Sequence, residues 1–348
     1  MKKKIVLTGG GTAGHITPHL ALLPYLKKDF DFYYIGSKNS MEQKMMSEYM
    51  PFYSIETTKL KRKLSLSNLL IPFKLLKGIC DAKKVLKKIK PNIVFSKGGF
   101  VAVPVVIAAS MLKIPVITHE SDYTLGLANK LIKNKCKYVC TSFEDTAKLK
   151  NGIWTGSAIR QEIFSGNKSV IMKRYDFDQN KKCLLFVGGS LGSQKINQAV
   201  FKIANDLSKT YNILHIVGKN NTNKNINIKN YQQVEFLSDI ENAFKFADVV
   251  ITRGGSNVLF ELLAQKKPML IIPLSKNESR GDQILNANYF KKKNYANVLF
   301  EENLTPISLK KAIDETFKNA KNYENTMKDE NINGTKKIFE LIKNNAKK

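Results

Sequence analysis

Short apolar runs alternate with amphipathic ones along the whole chain. "KIVLTG" (4–9) is a continuous apolar run, and the segment 15–28 that follows reads as a helix. The exchange recurs at "DFYYIGS" (31–37) with "MEQKMMSEY" (41–49), and at "PFYSIE" (51–56) with a long amphipathic stretch at 67–90. "NIVFSKGG" (92–99) leads into "VPVVIAASML", and "IPVITHES" (114–121), "YVCTSF" (138–143) and "IWTGSAIR" (153–160) follow as strands. Alternation of this kind predicts a parallel sheet with helices on both faces.

The pattern then restarts. "KCLLFVGGSLGSQKINQAV" (182–200) repeats the opening order of apolar strand, glycine-rich turn and helix. "YNILHIVG" (211–218), "VEFLS" (234–238), "DVVITRGGS" (248–256) and "PMLIIPLS" (268–275) read as further strands, and the tail from about 304 reads as helices. A length of 348 residues exceeds the roughly 250–300 that one hydrophobic core supports. The fold class expected is therefore α/β: two tandem doubly wound parallel-sheet domains, 1–157 and 158–329, with the changeover near 157–180.

Four glycine turns each follow a strand: "GGGTAG" (9–14), "KGGF" (97–100), "GGSLGS" (188–193) and "RGGS" (253–256). Such a turn lets a ligand approach the backbone and aims the first free N–H groups of the next helix at an anion. Two turns per domain suggest that both domains face one cleft. A dinucleotide fingerprint also needs an acidic residue at the end of the second strand, for the ribose. That strand ends "YYIGSKNS", and its only acids, Asp29 and Asp31, lie at its start. This argues against a nicotinamide or flavin enzyme.

His15 follows Gly14 directly. It reads either as a packing residue or as a general base, since a helix N-terminus favours the neutral imidazole. His19 lies four residues on, but HExxH lacks its glutamate and no third ligand is evident, so no metal is expected. "THESDYTLGLANK" (118–130) gathers His119, Glu120, Ser121, Asp122 and Asn129 after an apolar strand. In "TRGGSNVLFELLAQKKPMLIIPLSKNESRGDQILNA" (252–287), Glu261 lies on an otherwise apolar helix face. A buried glutamate needs a partner, and vicinal ribose hydroxyls would suit it. Asp282 and Gln283 stand in a polar loop where they could hold sugar hydroxyls.

Composition narrows the classes further. Hydrophobic content is 43%, and the run 100–112 is too short for a membrane helix and is interrupted by Pro104. The start of the chain does not read as a signal peptide, so a cytoplasmic location is expected. Cys80, Cys136, Cys140 and Cys183 make no zinc spacing and read as free thiols. The net charge of +28 is mostly lysine spread along the chain, which predicts no dedicated nucleic-acid face. "KLKRKLSLSNLLIPFKLLKG" (59–78) joins a basic cluster to Leu69, Leu70, Ile71 and Phe73, a composition that suits an anionic bilayer or a core-facing helix.

Taken in order, "GGGTAGHITPHLAL", "KPNIVFSKGGFVAVPVVIAA", "IPVITHESDYTLGLANK", "TGSAIR", "FVGGSLGS", "ADVVITRGGS" and "DQILNA" resemble the MurG family of peptidoglycan glycosyltransferases over nearly the whole chain. The resemblance implies a GT-B fold, with the C-terminal helix, about 330–348, returning to the first domain. It implies inverting transfer of GlcNAc from UDP-GlcNAc to the C4 hydroxyl of MurNAc in undecaprenyl-pyrophosphoryl-MurNAc-pentapeptide, turning lipid I into lipid II. By position it assigns Thr12, Ala13 and Gly14 to the first glycine turn, and Arg160 and Ser190 to the pyrophosphate. Leu237 falls to the uracil pocket. Ser256, Asn257, Val258, Leu259, Phe260 and Glu261 fall to the nucleoside, with Glu261 on the ribose. Gln283 falls to the GlcNAc hydroxyls, His15 to the base, and Glu120 to the acceptor cleft. It also tips 59–78 toward a membrane-facing patch, hence a peripheral protein on the cytoplasmic face of the cell membrane, beside other cell-wall synthesis proteins. No cofactor or metal is expected, because no Asp-x-Asp triplet stands at a strand end. Two positions depart from the family pattern: Ala13 stands for a glycine, and "HESD" puts Asp122 where an amide is usual. Other GT-B enzymes with a different acceptor, or a UDP-GlcNAc epimerase, are the nearest alternatives.

Overall fold

A computed structural model describes residues 2–58, 71–189, 192–328, 330 and 332–347, with the backbone alone at Ala13. Two units account for the chain: Met1–Arg160 together with Ile332–Lys348, and Gln161–Asn331.

The first unit is a seven-stranded parallel sheet: β1 (Lys3–Thr8), β2 (Phe30–Ser37), β3 (Phe52–Ile55), β4 (Ile93–Ser96), β5 (Val116–Glu120), β6 (Tyr138–Thr141) and β7 (Gly152–Trp154). The strand order is β3-β2-β1-β4-β5-β6-β7. Its helices are α1 (Thr17–Leu26), α2 (Met41–Met46), α3 (Ile71–Ile89), α4 (Ala102–Met111) and α5 (Leu127–Ile132). Side chains alternate across a strand, so β1 feeds two cores. Ile5 and Leu7 pack with Leu22 and Leu26 of α1 and with Ile338 and Ile342 of the C-terminal helix Thr335–Asn345. Val6 packs on the other face with Ala82 and Leu86 of α3 and Val105 and Val106 of α4. Burial on both faces is why the strands read as continuous apolar runs.

The second unit has a six-stranded parallel sheet of β8 (Lys182–Val187), β9 (Tyr211–Ile216), β10 (Tyr231–Val234), β11 (Val249–Thr252), β12 (Met269–Ile271) and β13 (Asn297–Val298). Its order is β10-β9-β8-β11-β12-β13. The helices are α6 (Lys168–Arg174), α7 (Gln194–Thr210), α8 (Ile240–Phe246), α9 (Ser256–Ala264), α10 (Asp282–Lys292) and α11 (Pro306–Met327). Leu184, Phe186, Val200, Ile213, Leu309 and Ile313 form one of its cores.

Four details differ from the sequence reading. The boundary falls after Arg160, because Ile159 donates its N–H to Thr335 Oγ1 at 2.9 Å and Ser157 bridges to Asn333. "IWTGSAIR" keeps only Gly152–Trp154 in the sheet, since Gly156 turns the chain at φ +81 toward the C-terminal segment. The strand expected at 234–238 is Tyr231–Val234, paired with Ile213–Ile216, and the chain then leaves the sheet with Phe236 74% exposed. The first helix starts at Thr17, after a 3-10 turn over Ala13–His15.

Candidate active site

In each sheet the strand order reverses beside the first strand, between β1 and β4 in one unit and between β8 and β11 in the other. The crevice outside the carboxyl ends of such a strand pair is where open α/β sheets bind ligands. The four glycine turns follow these four strands and no others, so each unit has a site-forming end.

In the first unit the two turns touch through their backbones. Gly99 sits at φ +77, and a Cβ there would stand 2.4 Å from the Gly10 carbonyl oxygen. Only glycine serves on both counts. Tyr34 donates its hydroxyl to the Gly9 carbonyl at 2.7 Å, and buried Glu42 accepts from the N–H groups of Gly11 and Ser37 at 3.4 and 3.3 Å. Thr12 Oγ1 and His15 Nδ1 are 2.9 Å apart. His15 is half-buried at the end of the 3-10 turn. His19 does not join it. The ring is fully buried, edge-on to Tyr34 and Phe95, and burial followed by the nearby Lys97 charge pushes its pKa down to about 3.

Behind the turns lies a buried polar cluster. Lys97, at the end of β4, is 2% exposed. Its Nζ lies 2.6 Å from His119 Nδ1 and 2.7 Å from Ser121 Oγ. The ammonium has only donors, so His119 accepts at Nδ1, and its Nε2–H donates to the Gly156 carbonyl at 3.0 Å. Burial and the Lys97 charge hold His119 well below its ordinary pKa, in this neutral tautomer. Burial lowers the Lys97 pKa to about 8, against the opposing pull of Glu120 and Asp122.

Glu120 and Asn129 correct the sequence reading. Both are buried. The Glu120 carboxylate accepts from the N–H of Asp122 at 3.1 Å, the N–H of Gly126 at 2.8 Å and Asn129 Nδ2 at 2.9 Å. Asn129 Oδ1 accepts from Thr118 Oγ1 at 2.9 Å. These bonds fold the loop between β5 and α5, so neither side chain is presented to a substrate. Asp122 is half-buried in that loop.

In the second unit the turns line a pocket of about 500 Å³ with Gly189, Gly192, Arg253, Val258, Leu274 and Gln283 on its walls. Gly192 has φ +75, and a Cβ would meet the Val217 carbonyl oxygen at 2.0 Å. Ser193 caps α7, accepting from Ile196 N at 3.4 Å, and accepts from Arg253 Nη2 at 2.6 Å. Gln283 Oε1 accepts from the N–H groups of Gly254 and Leu274 at 3.2 and 3.0 Å. Both partners are donors, so the amide can be oriented only one way, with its NH₂ left for a ligand acceptor. Asp282 opens α10 and pairs with Arg280 at 3.3 Å.

Helix α9 sorts its own residues. Ser256 is buried at its first turn, Val258 lines the pocket, and Asn257 is half-buried. Leu259 and Phe260 were expected at the nucleoside, but they point into the core, at 0% and 2% exposure, with Phe260 edge-on to Phe290. A 3.6-residue period cannot put six successive side chains on one ligand. Glu261 was expected to be buried and is half-buried. Arg160 and Leu237 are half-buried, and Ser190 lies outside the described residues.

Four residues escaped the sequence reading: Lys97, Lys195, Arg253 and Glu301. Glu301 is buried and forms ion pairs with Lys195 at 2.8 Å and with Arg253. Burial raises its carboxyl pKa, and the two cations more than reverse this, leaving it below the ordinary value. Lys97 and Arg253 directly precede glycine turns, a signal that could have been used. Glu301 stands 48 residues after Arg253, in no motif.

Residues 5–141 match the glycosyltransferase family 28 N-terminal domain, and residues 183–342 match the glycosyltransferase family 28 C-terminal domain. The chain is 48% identical, over 99% of both chains, to a Clostridium perfringens protein named UDP-N-acetylglucosamine--N-acetylmuramyl-(pentapeptide) pyrophosphoryl-undecaprenol N-acetylglucosamine transferase. A Clostridium botulinum protein of the same name is 50% identical over 99% of this chain and 100% of its own. Acinetobacter baumannii MurG has the same fold, with TM-score 0.78 at 23% identity over 98% and 99% of the two chains. So does the Neisseria meningitidis UDP-GlcNAc 2-epimerase bound to UDP-GlcNAc, with TM-score 0.67 at 15% identity over 99% of each. Two α/β units with paired glycine turns, family 28 domains in both, and full-length identity near one half make the chain a member of glycosyltransferase family 28 and, within it, of the MurG family of N-acetylglucosaminyltransferases.

Proposed function

We propose that the chain transfers GlcNAc from UDP-GlcNAc to the C4 hydroxyl of MurNAc in undecaprenyl-pyrophosphoryl-MurNAc-pentapeptide, with inversion and without a metal. The observation that carries the donor and the acceptor is the full-length identity to proteins named for that transfer.

The chemistry is a single displacement. The acceptor oxygen attacks the anomeric carbon, the bond to UDP breaks with its electron pair, and the hydroxyl proton goes to a base. His15 suits the base. With Nδ1–H donated to Thr12 Oγ1, the imidazole carries its basic lone pair on Nε2. The departing diphosphate gains negative charge. The backbone around Gly189 and Gly192, the N-terminus of α7 and the Arg253 guanidinium supply positive potential in the pocket of the second unit. The Gln283 NH₂ is placed to donate to a sugar hydroxyl oxygen.

Labelled GlcNAc transfer to a lipid I analogue in EDTA tests the proposal. Product at the untreated rate supports it. Loss of turnover that Mg²⁺ restores would overturn the metal-free step, and no product under either condition would overturn the acceptor.

The lipid acceptor requires a membrane surface. Among the described residues no helix is long and apolar enough to cross a bilayer. On α3, Phe73 and Leu76 are 71% and 61% exposed beside exposed Lys74 and Lys77, a face that suits an anionic leaflet. Ile71 is half-buried, and Leu69 and Leu70 lie outside the described residues. The double variant Phe73→Ser/Leu76→Ser is expected to weaken binding to phosphatidylglycerol vesicles at least about tenfold, the equivalent of one lost buried apolar side chain. Unchanged sedimentation with vesicles would remove this face from the membrane contact.

A further inference from the structure

We propose that Lys195 is a side-chain cation for the donor's diphosphate, and that Glu278 is a built-in competitor for the same ammonium. The inference rests on reading the pocket of the second unit as the UDP site. Both side chains line that pocket. Lys195 Nζ lies 2.7 Å from Glu278 Oε1 and 2.8 Å from Glu301 Oε1. Lys195 is the second residue of α7, where the helix dipole disfavours a cation, and the first turn of α7 carries no acid of its own. The lysine is tolerated there because two carboxylates reach it from outside the helix, Glu278 from the loop between β12 and α10 and Glu301 from beyond β13.

The two carboxylates are not equivalent. The Glu301 side chain is 1% exposed and also pairs with Arg253, so displacing it would strand a buried charge. The Glu278 side chain is 47% exposed. Its turn is closed without it, by the N–H groups of Glu278 and Ser279 on the Ser275 carbonyl at 3.2 and 3.0 Å. Glu278 can therefore swing into water at little cost, as an exposed ion pair is weak. Glu301 meanwhile keeps the ammonium at the pocket wall. The formal charges of Lys195, Arg253, Glu278 and Glu301 cancel. With Glu278 on Lys195 this set offers an anion no net charge, and with Glu278 displaced it offers one positive charge. A phosphate oxygen then takes the place of a carboxylate oxygen on an ammonium already held at the wall. The reverse exchange favours release of UDP.

The test is a double-mutant cycle of Lys195→Met and Glu278→Gln, read by calorimetric titration with UDP and with uridine at low ionic strength. Glu278→Gln is expected to tighten UDP about two- to fivefold, the size of an exposed ion pair. Lys195→Met should weaken UDP roughly tenfold, the low end for a charged hydrogen bond, and Lys195→Arg should restore most of it. On the Lys195→Met background Glu278→Gln should change nothing, because the competition runs through the ammonium. Uridine has no phosphate, so its affinity should stay within about twofold in all of these proteins. A gain from Glu278→Gln that persists without Lys195 would overturn the competition, as would weaker UDP binding by Glu278→Gln. Equal shifts for UDP and uridine would make Lys195 a support for the pocket wall and overturn its contact with phosphate. Wild-type protein that binds neither compound would instead remove the reading of this pocket as the UDP site, and the inference with it.

Discussion

His15→Ala is expected to lower kcat for GlcNAc transfer about 10²–10⁴-fold and to leave the KM for UDP-GlcNAc within about twofold. The magnitude is what a positioned general base contributes. The split between constants follows from place: His15 belongs to the turn after β1 in the first unit, whereas the pocket proposed for the donor is built from the turns of the second. Other bases near that turn are accounted for. His19 is sealed between aromatic rings and held neutral, and it cannot reach a substrate. His119 spends both ring nitrogens on Lys97 and Gly156. Glu120 spends its oxygens on three donors. Asp122 is the remaining rival, and Asp122→Asn separates the two: the loss with His15→Ala should be much the larger. Thr12→Val should fall between, because it frees the imidazole to adopt the wrong tautomer without removing it. Full turnover by His15→Ala would take His15 out of the mechanism. Melting curves of each variant guard against a folding defect, which is expected to be small because the ring is not in the core.

The fold was legible because both sheets are parallel and covered on both faces, so the central strands are apolar runs, and β1, β4, β8 and β11 lead into glycine turns. β1 with "GGGTAG" and β8 with "GGSLGS" needed no tertiary information. β13 is two residues long and carries no pattern. β10 was misplaced because "VEFLS" is as apolar as the strand beside it, and only pairing with β9 decides which stays in the sheet. The site was half legible. Motifs mark where backbone must approach a ligand, so glycine turns stand out, and His15 with them because it follows Gly14. They do not say which way a side chain turns. Helical period alone sends Leu259 and Phe260 inward while Val258 stays at the pocket. Residues whose work is to hold others, such as Lys97 behind the acceptor loop and Glu301 behind Arg253, have partners far along the chain. Spacing cannot reveal them.

Arg253→Met should destabilise the second unit by about 3 kcal/mol, near the lower end of the cost of breaking a buried ion pair. The Glu301 side chain is 1% exposed and that of Arg253 is 11% exposed, so little water can replace the lost partner. Lys195 still holds Glu301 Oε1 at 2.8 Å, which keeps the loss from being larger. A unit of this size loses about 2–4 °C of Tm per kcal/mol, so calorimetry should record a fall of roughly 6–12 °C. The pH dependence gives a second signature. The folded Glu301 carboxyl lies below its ordinary value of 4.5, so its contribution is present above that pH and is lost as pH falls through the folded value. Arg253→Met should flatten that acid limb. The double variant Arg253→Met/Glu301→Leu should return most of the Tm, because an apolar pair tolerates burial that a lone carboxylate does not. UDP affinity should not return with it. Arg253 also donates to Ser193 Oγ at 2.6 Å and to the Ile272 carbonyl at 3.2 Å, and those bonds hold the cap of α7 and the wall of the pocket proposed for UDP. Recovery of stability without recovery of UDP binding assigns the guanidinium both roles. Recovery of both would make Arg253 a partner for Glu301 and nothing more, and a single variant melting within about 1 °C of wild type would remove even that.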